Sequence, residues 1–179
     1  MKTLYSCIFV LIFFNTSIFA QEAQFPIVKG FGGIYKIDNP VEQLEKGNEV
    51  KIIVELVSQN TTPEEYSFWV NNIARLMNLH GLEGVPADNL HVKVIVHGPA
   101  VFDLLSDGNY FEQFRIAKNP NIEVWEALDA AGADVIVCGQ SLIGRDLGRD
   151  EIWEKTQVAT SALTTITKNV ADGYVLLKF

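Results

Sequence analysis

The chain has 179 residues, of which 48% are hydrophobic and 20% charged, and its formal net charge is −8 at pH 7. This length is normal for one domain with a real hydrophobic core. The acidic balance excludes nucleic acid and anionic membranes as expected partners, because both require clustered lysine and arginine.

The first twenty residues have the pattern of a secretory signal peptide. Lys2 supplies the positive charge, residues 8–14 form an unbroken apolar stretch, and Ala20 precedes a plausible cleavage point at Gln21. The apolar stretch is too short to span a bilayer, which disfavours the alternative of an uncleaved anchor. We therefore expect an exported protein, periplasmic or secreted, that is soluble after cleavage of residues 1–20.

Cleavage would leave one cysteine, Cys138, because Cys7 lies inside the predicted signal peptide. No disulfide could then form within the chain. An unpaired thiol in an oxidising compartment is a liability unless it is buried or used. Two interpretations of Cys138 stay open at this point, a small buried core residue and a reactive thiol.

Residues 21–48 show no clear period. The glycines and aromatic residues of positions 30–35 predict an extended, bulged or packed-down arm. A β-branched apolar run over residues 50–57 predicts the first strand. We place the boundary between the arm and a single domain at residues 48 and 49, so the domain spans 49–179.

Residues 62–65, Thr-Pro-Glu-Glu, predict the start of the first helix. The threonine can cap free N–H groups, the proline fits the first helical position, and the second glutamate completes a capping box. Apolar residues at helical spacing from Tyr66 to Met77 continue the helix, and Gly81 and Gly84 end it.

Apolar strands alternate with helical segments along the rest of the chain. Further strands are predicted over residues 91–96, 134–138 and 173–179. Helices are predicted over residues 99–105, 110–118, 122–131, 140–147 and 158–171, with a turn at residues 106–109. Buried strands separated by helices are typical of a parallel sheet that is covered on both faces.

Sites in such sheets gather just beyond the carboxyl ends of the strands, where His97 and Cys138 both lie. The turn after Cys138 begins a helix, whose free N–H groups and dipole favour a thiolate, and Arg145 and Arg149 could add positive charge. His97 could approach Cys138 if their two strands are neighbours. The alternative is that His97 only bonds the backbone in a turn.

No metal or cofactor is expected. The histidines at positions 80, 91 and 97 have no metal-ligand spacing with Cys138. The sequence contains no P-loop, dinucleotide fingerprint or nucleophile elbow. Composition and spacing alone therefore predict no more than a reactive thiol as one candidate site on an α/β sheet.

Several stretches of the chain resemble the DsrE/DsrF-like family, in particular its exported members. The matching stretches are Val-Ile-Val-His-Gly-Pro-Ala at 94–100, Asn-Pro-Asn at 119–121, residues 130–142 around Cys138, and residues 161–163 and 173–179. The resemblance covers about residues 50–179. It implies a three-layer α/β/α domain with a mainly parallel sheet of about five strands, often assembled into trimers or hexamers.

The better understood members of that family are cytoplasmic carriers that hold sulfane sulfur as a persulfide on one cysteine. Cys138 matches that position, so the resemblance implies an exported persulfide carrier or sulfurtransferase-like protein. Its donor or acceptor would be a protein or a small sulfane-sulfur compound, and it need not turn over as an enzyme. The resemblance implies Cys138 as the sulfur-carrying residue. From the strand-end position we add Gly98, Gly139, Gln140 and Ser141 as binding residues, and His97 and Arg145 as electrostatic support.

Two other functions stay open. The first is a non-catalytic module that binds a small ligand at the crevice around His97, Gly98 and Cys138, or uses the aromatic arm for contacts with other copies of itself. The second is a thiol redox enzyme, which the lack of a Cys-x-x-Cys motif or a resolving cysteine in residues 21–179 disfavours.

Overall fold

The computed structural model describes residues 21–179, so the predicted signal peptide lies outside the described residues. The elements in chain order are β1 (Val50–Leu56), α1 (Phe68–Leu82), β2 (Leu90–Val96), α2 (Asp107–Phe114), α3 (Asn121–Ala130), β3 (Asp134–Cys138), α4 (Gly139–Ile143), β4 (Gln157–Ala159), α5 (Ala162–Ala171) and β5 (Val175–Lys178). Within this part of the chain, no helix has the length and apolar character that a bilayer crossing needs.

The five strands form one parallel sheet in the order β4-β3-β2-β1-β5. From β1 to β4 each strand adds on the same side of its predecessor, and α5 then carries the chain back across the sheet to β5. Central strands of a parallel sheet are buried on both faces, which explains their nearly continuous valine and isoleucine runs. The expected three-layer α/β/α fold with a parallel sheet is therefore confirmed.

The two faces of the sheet are covered unequally. The larger core lies on the face that carries α1 and α3, where side chains such as Val94, Ile73 and Trp125 are fully buried. A smaller cluster lies under α5 on the other face; its buried members are Ile53, Ile95, Cys138 and Ala162. The predicted catalytic cysteine thus belongs to the smaller of the two apolar layers.

The first helix begins later than the sequence predicted. α1 starts at Phe68 with Ser67 as its cap, whereas residues 62–65 form a turn in which the Glu65 N–H donates to the Thr62 carbonyl at 3.1 Å. The Asn60 amide donates to the carbonyls of Thr62 and Glu65 at 2.7 and 2.6 Å. Because the Asn60 side chain satisfies these carbonyls, the turn is stable without continuing into a helix.

Two further segments differ from the prediction. Residues 107–109 are the first turn of α2 rather than a loop, and α2 ends where Arg115 adopts a left-handed conformation with φ of 62°. Val158 lies in β4, the strand that the sequence analysis missed, and the last helix begins only at Ala162. A strand of three residues is too short to show the alternation by which strands are recognised.

The N-terminal arm packs on α1, and Asn78 is the residue that holds it. Asn78 is fully buried, and its side-chain amide makes hydrogen bonds of 2.8–3.1 Å to the arm backbone. It accepts from the N–H groups of Ile27 and Val28 and donates to the carbonyls of Val28, Phe31 and Gly32. A Cβ at position 32 would lie 2.1 Å from the Arg75 nitrogen, so only glycine permits this approach.

A buried carboxyl group lies beneath the loop that joins β1 to α1. Asp103 is 2% exposed, and its Oδ2 atom has no hydrogen-bond partner within the described residues. Burial raises the pKa of Asp103 to about 7, and hydrogen bonds from the Asn60 N–H and the Ser67 hydroxyl offset this only in part. Below about pH 7 the native state therefore favours the protonated acid.

Replacing Asn78 with alanine should release the arm, because five arm backbone groups lose their partner. We expect the free energy of unfolding to fall by roughly 2–4 kcal/mol, and limited proteolysis to cut within residues 25–34. Asn72→Ala on the same helix is the matched control. Equal protease resistance in Asn78→Ala and the control would contradict this role of Asn78.

Asp103 should make stability depend on pH. Its folded pKa, about 7, lies above the ordinary value of 3.8, so its contribution is fully present below about pH 4 and is lost as pH rises to about 7. Relative to Asp103→Asn, the wild type should lose up to about 1.4 kcal/mol of unfolding free energy per pH unit in that window. Denaturant titrations of both proteins test this, and parallel stability curves would show that Asp103 titrates normally.

Candidate functional site

Cys138 lies at the carboxyl end of β3, where the chain turns directly into α4. The next residue must be small, because a Cβ on Gly139 would lie 2.9 Å from the Ala159 carbonyl oxygen of the neighbouring strand. The glycine thus allows the turn to pass close against β4. The thiol therefore lies at the carboxyl ends of the strands, where the sequence predicted it.

Donor groups at two helix beginnings lower the pKa of the Cys138 thiol. The donors are the N–H groups of Gln140 and Ser141 in α4, the N–H group of Ala162 in α5, and the Ser141 hydroxyl. Burial raises the pKa of the thiol, but these four donors together outweigh it, so the pKa lies below its ordinary value. The residue is 4% exposed, so the site combines a favoured thiolate with a nearly covered sulfur.

Ser141 connects Cys138 to the turn after β2. Its Oγ atom accepts a hydrogen bond from the Gly98 N–H at 3.1 Å. Because that bond uses a lone pair of the hydroxyl, the hydroxyl hydrogen remains available to donate to the sulfur. Gly98 has φ of 60°, a left-handed conformation that favours glycine. Gly98, Ser141 and Cys138 therefore form one hydrogen-bonded unit.

His97 lies beside Cys138 across the pairing of β2 and β3. Val96 and Val137 are register partners on β2 and β3, so the residues that follow them, His97 and Cys138, lie side by side. His97 continues the extended backbone, with φ of −151° and ψ of −178°, and follows Ile95 by two positions, which puts both on the face covered by α5. The strands proposed as neighbours are therefore neighbours.

The imidazole of His97 is held from the other side, by a residue that the sequence analysis missed. Its Nε2 atom lies 2.9 Å from Oε1 of Glu55, and Oε2 of Glu55 lies 3.2 Å from Nζ of Lys178. The Glu55 side chain is 14% exposed. Burial raises the pKa of Glu55, but hydrogen bonds from His97 and Lys178 lower it more, so it lies below its ordinary value. A lone glutamate inside an apolar strand was the signal that could have singled it out.

The two arginines predicted near the thiol make their hydrogen bonds elsewhere in the described structure. Arg145 donates to the Ser141 carbonyl at 3.3 Å, and Arg149 donates to the carbonyls of Trp153 and Glu154. Gln140 contributes its backbone N–H to the sulfur while its side chain is exposed. Within residues 21–179, no group of three or more histidine, cysteine, aspartate or glutamate side chains is arranged to hold a metal ion.

Comparison with known proteins identifies the relatives of this domain. A model of the DsrE/DsrF-like family matches residues 43–179. The fold is similar to that of MTH1491, a protein of unknown function from Methanobacterium thermoautotrophicum, with a TM-score of 0.52 and 15% identity over 73% of this chain and 99% of that one. It is also similar to the ychN protein of E. coli, with a TM-score of 0.52 and 18% identity over 73% and 100% of the two chains. No curated protein matches the sequence. Identities this low show a shared fold alone.

Removing the Ser141 hydroxyl should make the Cys138 thiol less acidic, because one of the donors to its thiolate is lost. A hydrogen bond to a charged group contributes about 1.5–3 kcal/mol, so alkylation of Ser141→Ala at neutral pH should be roughly tenfold or more slower than that of the wild type. The measurement is the rate of reaction with iodoacetamide, followed by intact mass. Ser58→Ala is the matched control, and equal rates in all three proteins would exclude Ser141 from thiolate stabilisation.

Proposed function

This chain belongs to the DsrE/DsrF-like family, which is linked to sulfur relay, and on that premise we propose that it carries sulfane sulfur as a persulfide on Cys138. The proposal rests on the place of Cys138 at the carboxyl end of β3, beside N–H groups of α4 and α5 and the Ser141 hydroxyl that lower the pKa of its thiol. A thiolate is the form of cysteine that attacks sulfur, and these donors favour it. They also suit a persulfide, which keeps one negative charge on sulfur.

The loading step conserves atoms and charge. The Cys138 thiolate attacks the outer sulfur of a donor R–S–S⁻, a new S–S bond forms, the donor's S–S bond breaks, and RS⁻ leaves. With thiosulfate as donor, sulfite is the leaving group. Transfer to an acceptor thiolate reverses these roles and returns Cys138 to the thiolate. Sulfur is exchanged between thiolates without an external oxidant, so the protein acts as a carrier and need not turn over as an enzyme.

The covered position of the sulfur restricts its partners. Cys138 is 4% exposed and packs with Ile53, Ile95 and Ala162. A small sulfane-sulfur compound can reach such a site with less displacement of the α5 N-terminus than a protein cysteine needs. We therefore propose a small persulfide or thiosulfate as the donor, with the acceptor protein as a later partner.

The proposal extends to the compartment and the assembly. The charged and apolar pattern of residues 1–20 supports export to a periplasm or beyond. Apolar side chains exposed on β4, α5 and β5, among them Val158, Leu163 and Val175, support self-association into the trimers or hexamers implied by the resemblance. We include both in the proposed function.

A second candidate function follows from the same burial. If the thiol is only a packing group in the cluster of Ile53, Ile95 and Ala162, the domain is a binding or assembly module without covalent chemistry. Such a module would use the strand-end crevice near His97 and Gly98 for a small ligand. The two candidates differ in whether the native thiol reacts.

Incubating the purified protein with thiosulfate or glutathione persulfide should add sulfur to Cys138. We expect intact mass to rise by about 32 mass units, reversibly on reduction, because one sulfur atom is gained by the thiolate. Cys138→Ser is the matched control and should gain nothing at this position. A wild type that gains no sulfur, with a thiol that reacts only after unfolding, would instead support the module without covalent chemistry.

A further inference from the structure

Three charged or titratable side chains line up beside Cys138 on the face covered by α5. Lys178 of β5 is the register partner of Glu55 of β1, and His97 lies two positions beyond Ile95, the register partner of Glu55 on β2. The row Lys178, Glu55, His97 and Cys138 thus crosses four adjacent strands at their carboxyl ends. Ion-pair contacts of 3.2 and 2.9 Å join its first three members.

The contact with Glu55 decides which nitrogen of His97 can exchange a proton. An ionised carboxylate only accepts hydrogen bonds, so the Nε2 atom that faces Oε1 at 2.9 Å must carry hydrogen. In the neutral imidazole, Nδ1 is then the atom with the free lone pair. No group of residues 21–179 hydrogen-bonds to Nδ1.

We propose that His97 accepts the Cys138 proton at Nδ1 and that Glu55 is the positioning residue that fixes and charge-balances the imidazole. The S–H bond breaks, an N–H bond forms, and the products are a thiolate and an imidazolium. After sulfur transfer the imidazolium returns this proton to the leaving RS⁻, which departs as RSH. The inference rests on the proposed function in one respect, since it requires Cys138 to act as a nucleophile.

Lys178 completes the row by fixing Glu55. Its Nζ atom lies 3.2 Å from Oε2, so both carboxylate oxygens are engaged and the orientation that faces the imidazole is favoured. The pKa of Glu55 lies below its ordinary value through the hydrogen bonds from His97 and Lys178, which together exceed the effect of burial, so the carboxylate stays charged. A charged Glu55 stabilises the imidazolium that forms when His97 takes the proton.

Charged groups on the other elements around His97 have partners of their own. On α5, Lys168 pairs with Asp172 at 2.5 Å, in the last turn of the helix rather than beside Cys138. Lys93 of β2 lies 5.0 Å from the ring centre of Tyr174, and Arg145 binds the Ser141 carbonyl. Glu55 is therefore the charged group that the described structure places in contact with the imidazole.

The variants that test this are His97→Asn, Glu55→Gln and the double substitution, with His91→Asn as matched control. His91 lies on the same strand and pairs with Glu49 at 3.2 Å, at the opposite end from Cys138. The readouts are the pH profile of Cys138 alkylation in the full chain and the thermal unfolding midpoint. If His97 and Glu55 have only a structural role, the substitutions lower the thermal unfolding midpoint and leave the pH profile of alkylation unchanged.

At mildly acidic pH we expect alkylation to slow roughly tenfold in His97→Asn and by a smaller factor in Glu55→Gln. The double variant should match His97→Asn alone, because Glu55 acts through His97. His91→Asn should match the wild type. If His97→Asn does not fold, Glu55→Gln carries the same test. Lower unfolding midpoints in the His97 and Glu55 variants with an unchanged pH profile would overturn the inference.

Sulfur loading, measured by intact mass on the same proteins, separates this inference from the proposed function. If the wild type loads sulfur and neither substitution changes the pH profile, His97 is not the proton acceptor, whereas the proposed carrier function stands. A His97-dependent profile in a protein that takes up no sulfur supports the proton acceptor and overturns the carrier. A native thiol that is silent to alkylation overturns both.

Discussion

The parallel pairing of β2 with β3 is the constraint on which the candidate site depends. Because Val96 and Val137 are register partners, the next residues, His97 and Cys138, must come side by side on one face. A slip of one residue would point one of them to the opposite core. The apolar layers on both faces, with Val94 and Val137 on one and Ile95 on the other, forbid that slip. Burial of both faces of the sheet thus fixes the positions of His97 and Cys138 at the carboxyl ends of the strands.

Two opposing effects meet at the sulfur. Burial in the small layer under α5 raises the pKa of the Cys138 thiol, whereas donor groups of Gln140, Ser141 and Ala162 lower it. The combined effect of the donors is larger, so the pKa lies below its ordinary value. Backbone N–H groups at helix beginnings have no partner within the helix, so directing them at the sulfur satisfies donors that would otherwise stay free. The same arrangement keeps water away from the thiolate. A covered thiolate suits a carrier that must protect its sulfur between donor and acceptor.

The sequence predicted the strands that have β-branched runs, the place of Cys138 at a strand end, and the family. It could not place Glu55, because a single glutamate in β1 acquires meaning only when strand order brings His97 beside it. It missed β4, whose three residues show no period. It placed the start of α1 too early, because the Asn60 side chain satisfies the carbonyls of the turn after Thr62 and the helix begins only after Ser67. Local patterns predicted elements, whereas contacts between elements determined the site.

The proposed function depends on the acidity of the Cys138 thiol in the folded protein. The direct measurement is a pH titration of thiolate ultraviolet absorbance in the full chain, with the Cys138→Ser titration subtracted to remove Cys7 and the tyrosines. The structure predicts a midpoint below that of the same thiol in the unfolded protein, because its four donors outweigh burial. A midpoint at or above that value would show that burial dominates and that Cys138 is a packing residue.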